Sequence, residues 1–185
     1  MSRSAEAERF LRARGADGMP HPGGTLLEHL IRVEDVLRAW GADEDVQLAG
    51  LCHALYGTDG FDHPLAPLTE REAVAAVIGP RAEELVRLYA GCDRAAVYPR
   101  LGREHPVRFR DRFTGTEHTP PEADTRAFLE LTAANELDVL AHNPELAERH
   151  GPSLRALFTR SHELLSPRAR AAYERQLGGA PDLLD

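Results

Sequence analysis

Lysine is missing from the 185 residues: all 22 basic side chains are arginine. Without lysine there is no Schiff base, which removes pyridoxal phosphate and lysine-based aldol chemistry. It also removes the Walker-A loop and the kinase strand lysine, and no Gly-rich fingerprint stands in their place, so no nucleotide cofactor is expected. A Gly-x-Ser-x-Gly nucleophile and internal repeats are absent too. Cysteine is nearly as scarce. Cys52 and Cys92 follow no zinc-knuckle pattern and fall in segments expected to be helical, which reads as two buried free thiols. No apolar run approaches the length that crosses a bilayer, and MSRSAEAERF lacks the apolar stretch of a signal peptide. A soluble, cytoplasmic protein with no membrane partner is the expectation. The formal net charge is −8, which repels phosphate backbones and argues against nucleic acid.

What is present is one chain of a length that suits a single domain (1–185, core about 25–165). The densest pattern is His21 to Phe61, HPGGTLLEHLIRVEDVLRAWGADEDVQLAGLCHALYGTDGF. Leu26, Leu30, Val33, Leu37 and Trp40 recur at three- and four-residue steps and predict a helix from Thr25 to Trp40, with His29 one position off the stripe. Thr25 and Glu28 form a capping box at its start. After the stop at Gly41, a second helix begins near Asp43 to Asp45 with acidic residues in its first turn. Its small-residue side, Ala49 and Gly50, lets another helix approach, and His53 then points into the seam.

A histidine opening HLIRVEDVLRAWG and a second in LAGLCHALYG resemble the HD-domain superfamily, all-helical metal-dependent phosphohydrolases with one branch of diiron oxygenases. The fuller string, HPGGTLLEH with GLCHALYGTDGF and a later LTAANELDVL, looks like an uncharacterised, degenerate branch of it, and the likeness runs from about Thr25 to Asn143. The resemblance implies an all-α, HD-domain-like helical bundle and one divalent metal, iron, manganese or zinc, at His29 and His53. Two departures bear on that metal. An aspartate normally follows the second histidine, where Ala54 stands, and a later "A-D" aspartate corresponds to Asn135. Each departure removes an anionic ligand, and hard divalent ions need oxygen ligands to offset their charge. Asp138, Glu136 or Asp59 could rebuild a set of two histidines and one carboxylate.

The flanking segments supply further candidates. Ala5 to Arg14 predicts a short amphipathic helix anchored by Phe10 and Leu11, followed by a glycine-broken loop, GADGMPHPGG. His21 in that loop is either an exposed turn residue or a third imidazole beside His29 and His53. Tyr56, Thr58 and Asp59 follow His53 closely in a glycine-flanked loop and would sit at the mouth of a cleft. A capping box at Thr69 to Glu72 opens a helix through Ile78, and Pro80 starts another to about Cys92, ended by Asp93-Arg94. Val107 to Phe113 alternates apolar and charged residues before Thr114-Gly115, which predicts a small hairpin or extended flap. Such a flap would bring Arg112 to a carboxylate or phosphate.

Pro120-Pro121 opens a long helix to about His142, on which Asn135, Asp138 and His142 share a face. Buried there, these groups need partners, and His29 or His53 would supply them. Leu154 to Leu165 and Pro167 to Leu177 read as two last helices, and Gly178 to Asp185 as a frayed acidic tail. Two functions follow. One is a small-molecule enzyme, a metal-dependent hydrolase or iron oxygenase or, without a metal, an enzyme with His53 as a general base oriented by Asp138 or Asp59; His53, Asp138, Asp59 and Tyr56 are its catalytic candidates and His21, Thr58, Arg112 and Asn135 its substrate-binding ones. The other is a non-catalytic HD-like protein that has lost its metal and binds a ligand or partner. A homodimer is left open.

Overall fold

A computed structural model describes residues 2–178. The helix α1 (Arg3–Ala13) buries Ala7 and Leu11, and Ser2 caps it. The glycine-broken loop behind it contains a short antiparallel pair, β1 (Pro20–His21) and β2 (Gly24–Thr25), where irregular chain was expected. Next comes α2 (Leu26–Trp40), opened by the Thr25–Glu28 capping box and ended by Gly41 in the left-handed conformation. It packs against α3 (Glu44–Cys52) through Gly50, where a Cβ would strike the Leu37 side chain. His53 is the residue that ends α3 rather than one inside it.

The capping box expected at Thr69 does not form. A 3₁₀ turn (Leu68–Glu70) leads into α4 (Arg71–Ile78) without a side-chain cap. Pro80 opens α5 (Pro80–Gly91), and Asp93, instead of only ending it, caps the short α6 (Arg94–Val97) by accepting from the Ala96 N–H. Strands β3 (Phe109–Arg110) and β4 (Glu117–His118) make the expected hairpin. It is no free flap: Phe109 is fully buried edge-on against Phe128, and Asp111 pairs with Arg87.

The centre of the bundle is α7 (Glu122–His142), which touches α2, α3, α5, α8 and α9. Every residue from Phe128 to Asn135 on it is buried, so it has no solvent face along that stretch and its polar groups must find protein partners. The helix α8 (Pro144–Arg160) begins ten residues before the expected Leu154, because Asn143 caps it and it runs through Gly151 and Pro152. Last comes α9 (Pro167–Leu177), and the acidic tail expected after Gly178 lies outside the described residues. Among the described residues these nine helices and two small hairpins make an all-α bundle, and no helix is long and apolar enough to cross a membrane. Cys52 and Cys92 are free and buried.

Phe109 fastens the hairpin to the core. Phe109→Ala is expected to lower the unfolding free energy by about 3–5 kcal/mol, read from urea denaturation followed by circular dichroism.

Candidate functional site

Three imidazoles meet where α2, the end of α3 and the β1–β2 hairpin converge. His29 on α2 has no solvent exposure, and its ring lies 4.0 Å from that of His21, stacked, and 5.3 Å from that of His53, edge-on. His21 is thus the third imidazole and not an exposed turn residue. The ring of His29 is gripped from α7 on both edges. Its Nδ1–H donates to Asp138 Oδ2 at 2.7 Å, and its Nε2 faces Asn135 Oδ1 at 3.0 Å. The Asn135 amide nitrogen in turn donates to Glu136 at 3.3 Å, which fixes this orientation.

Asp138 is equally committed. Besides His29 it accepts two bonds from Arg32, at 2.7 and 2.9 Å, the bidentate fork that guanidinium geometry favours. Burial alone would raise its carboxyl, but the bonds from His29 and Arg32 outweigh that and hold it at about 2. Arg32 was not singled out from the sequence. It lies three positions after His29, the same face of α2, which was the available signal.

Beside this network lies a cleft of about 800 Å³. His53 is on its wall. The Nδ1–H of His53 donates to the Gly50 carbonyl at 2.7 Å, which fixes the tautomer and leaves Nε2 as a lone-pair acceptor with no hydrogen-bond partner among the described residues. Burial first, and then the neighbouring His29, push His53 down to about 3, and the same causes push His21 down to about 4. Around His53 the cleft presents Ala54, Thr58, Asn135 and an ion pair, Arg94 with Glu136 at 2.9 Å. Tyr98 also lines it, its hydroxyl buried and, among the described residues, without a partner.

Of the site candidates singled out from the sequence, His21, His53, Thr58, Asn135 and Glu136 line this cleft, and His29, Asp138, Tyr56, Asp59 and Arg112 do not. His29 and Asp138 sit behind it. Tyr56 is buried and donates to Glu83, which Arg71 also holds. Asp59 accepts the Arg94 backbone N–H at the start of α6. Arg112 donates to the Ala90 carbonyl and lies against Phe113, on the hairpin side. Sequence reasoning missed Tyr98, Arg103 and Arg160 because they come from a loop and two helix ends with no periodic signal.

The expected metal trio is therefore not assembled. Asp138 gives its oxygens to His29 and Arg32, the Nε2 of His29 is spent on Asn135, and Ala54 offers a methyl group. Among the described residues no three His, Cys, Asp or Glu side chains are grouped to hold an ion. The donors present do not fit a hard divalent metal.

The family described as "Domain of unknown function (DUF6817)" matches residues 10–94, which include His21, His29 and His53 but not α7. No curated protein matches. Among solved structures the chain is similar to a metazoan ortholog of SpoT that hydrolyzes ppGpp and plays a role in starvation responses. The two are 14% identical, with a TM-score of 0.58 over 96% of this chain and 97% of that one. At that identity the likeness is one of fold, and the fold is the all-α, HD-like one.

The histidine cluster makes stability depend on pH. His53 and His21 bind protons more readily in the unfolded chain, at about their ordinary value of 6.5, than in their buried places. The stability is complete above that value and is lost as the pH falls toward 4. His53 alone is expected to cost about 2 kcal/mol between pH 7 and pH 5, seen as a lower denaturation midpoint at the acid pH and reduced in His53→Gln.

Proposed function

We propose that the cleft is the active site of a small-molecule hydrolase in which Nε2 of His53 takes the proton of the attacking water. The observation that carries this reading is the fixed tautomer of His53, with Nδ1 tied to Gly50 and Nε2 left free on the wall of the cleft. Burial keeps the ring neutral near pH 7 and so in the accepting form, at the expense of base strength. Water placed between Nε2 and an electrophilic phosphorus or carbonyl carbon gives its proton to the ring as it attacks, and the leaving group collects that proton as it departs. Arg94, oriented by Glu136 in the same wall, is placed to receive the negative charge that develops. The likeness of fold to a ppGpp-hydrolyzing protein supports hydrolysis as the reaction class.

A hydrolase built on a hard divalent metal, or an iron oxygenase with two histidines and one carboxylate, would need a carboxylate beside the imidazoles. The cleft offers only Glu136, which is held by Arg94, so the proton steps fall to the chain's own residues. A second reading, a ligand-binding protein without catalysis, is favoured by the methyl of Ala54 and the amide of Asn135 where the resemblance expects carboxylates.

Turnover of a panel of phosphate and carboxylate p-nitrophenyl esters separates the two. The expected result is a slow hydrolysis that falls about 100-fold or more in His53→Gln with the circular dichroism spectrum unchanged. If no ester is turned over while a ligand still binds saturably, the binding reading replaces the catalytic one. Metal content is a further check. Plasma mass spectrometry of the purified chain should find only substoichiometric iron, manganese and zinc, and EDTA should leave the thermal midpoint where it was. A stoichiometric metal lost on His53→Ala would overturn the metal-free mechanism.

A further inference from the structure

We propose that the cleft takes an amphipathic acid, a molecule with an apolar body and one anionic head group, with the head at Arg103 and Arg160 and the body along α7 and α8. The inference rests on the cleft being a ligand site and not on the chemistry proposed for His53.

The charges that line the cleft are unequal. Arg94, Arg103 and Arg160 face Glu136 alone, and Glu136 is already paired with Arg94. Arg160 donates to two carbonyls, Leu101 at 3.0 Å and Tyr98 at 2.7 Å, and among the described residues meets no carboxylate. Among the described residues Arg103 has neither an ion pair nor a side-chain hydrogen bond, and it lies near enough to Arg160 that the two repel. Burial is the larger reason that Arg160 holds its proton less firmly than usual, and the charge of Arg103 is the other. So an uncompensated positive pair sits at the cleft in a chain of net charge −8. A bound anion relieves that repulsion, and the guanidinium fork matches a carboxylate or phosphate.

The stretch of wall along α7 and α8 is rich in leucine. Leu140 on α7 and Leu146, Leu154 and Leu157 on α8 line it, with Leu26 of α2 across from them. Water in such a cleft is displaced at a gain that grows with the apolar area covered. Head and body are thus recognised by different residues, which gives each its own test.

Isothermal titration of the intact chain with decanoate, decyl phosphate and decan-1-ol reads the head group directly. At least one of the two acids is expected to bind tenfold or more tighter than the alcohol. Arg103→Ala, an exposed position with no partner to lose, should weaken that acid about tenfold, or 1.4 kcal/mol, and leave the alcohol unchanged. Added salt should weaken the acid and not the alcohol. Equal binding of acids and alcohol, no binding of either acid, or an Arg103→Ala chain that binds the acid as before would overturn the proposal. Because affinity is the readout, an acid-selective cleft that turns over no ester sinks the hydrolase reading and keeps this one, and the converse result does the opposite.

Discussion

The ion network of Asp138, His29 and Arg32 is the constraint on which the rest depends. It joins α2 to α7 where His29 is fully buried and Asp138 nearly so, with Arg32 closing the network from the partly exposed side. Charges so placed are costly unless each is matched, and breaking one partner of a buried set costs several kcal/mol because the other is left stranded. Here every oxygen of the carboxylate is taken, by Nδ1–H of His29 and by both arms of Arg32. The network therefore fixes how α2 lies on α7, and through the stacked ring of His21 it also seats the β1–β2 hairpin. Apolar packing alone would tolerate sliding between the two helices. A bidentate bond does not.

The same network divides the histidine cluster into a ring with both nitrogens engaged and a ring with one nitrogen free. His29 has both nitrogens spent, so it props the site from behind. His53 spends one nitrogen on its own helix end and turns the other outward. The division follows from position in the chain. His29 lies in the first turn and a half of α2, inside the α2–α7 contact, whereas His53 closes α3 where the backbone leaves the helix and the seam opens into the cleft.

Much of this was legible in the sequence where local rules suffice. The apolar stripe of Leu26 to Trp40, the capping box and the Gly41 stop located α2 because each rule is satisfied within a few residues. The need of Asn135 and Asp138 for partners was also legible, since polar side chains on a buried helix must be paired. Which nitrogen each would take was not, because that depends on how two helices more than a hundred residues apart dock. The start of α8 was hidden for another reason. Gly151 and Pro152 read as breakers, yet neighbouring packing and the Asn143 cap carry the helix through them. Tyr56 and Asp59 were drawn to the site by nearness in sequence to His53, but the turn after α3 points one toward Glu83 and the other toward α6.

The two departures from the HD pattern acquire a joint meaning once charge is considered. A cleft carrying carboxylates at the positions of Ala54 and Asn135 would be negative, and it would hold an anionic ligand only with a cation between them. With a methyl and an amide in those places the cleft loses that negative charge, and the arginines on its wall outnumber its one acid, Glu136. The repulsion that a metal would have had to cancel is gone, and so is the donor set that would have held the metal. The missing anionic donors and the proposed attraction of an anion trace in this view to the same two residues, Ala54 and Asn135. Asn135 keeps a structural duty in the exchange, since its amide orients both His29 and Glu136, and a second alanine there would have left the buried imidazole edge unpaired.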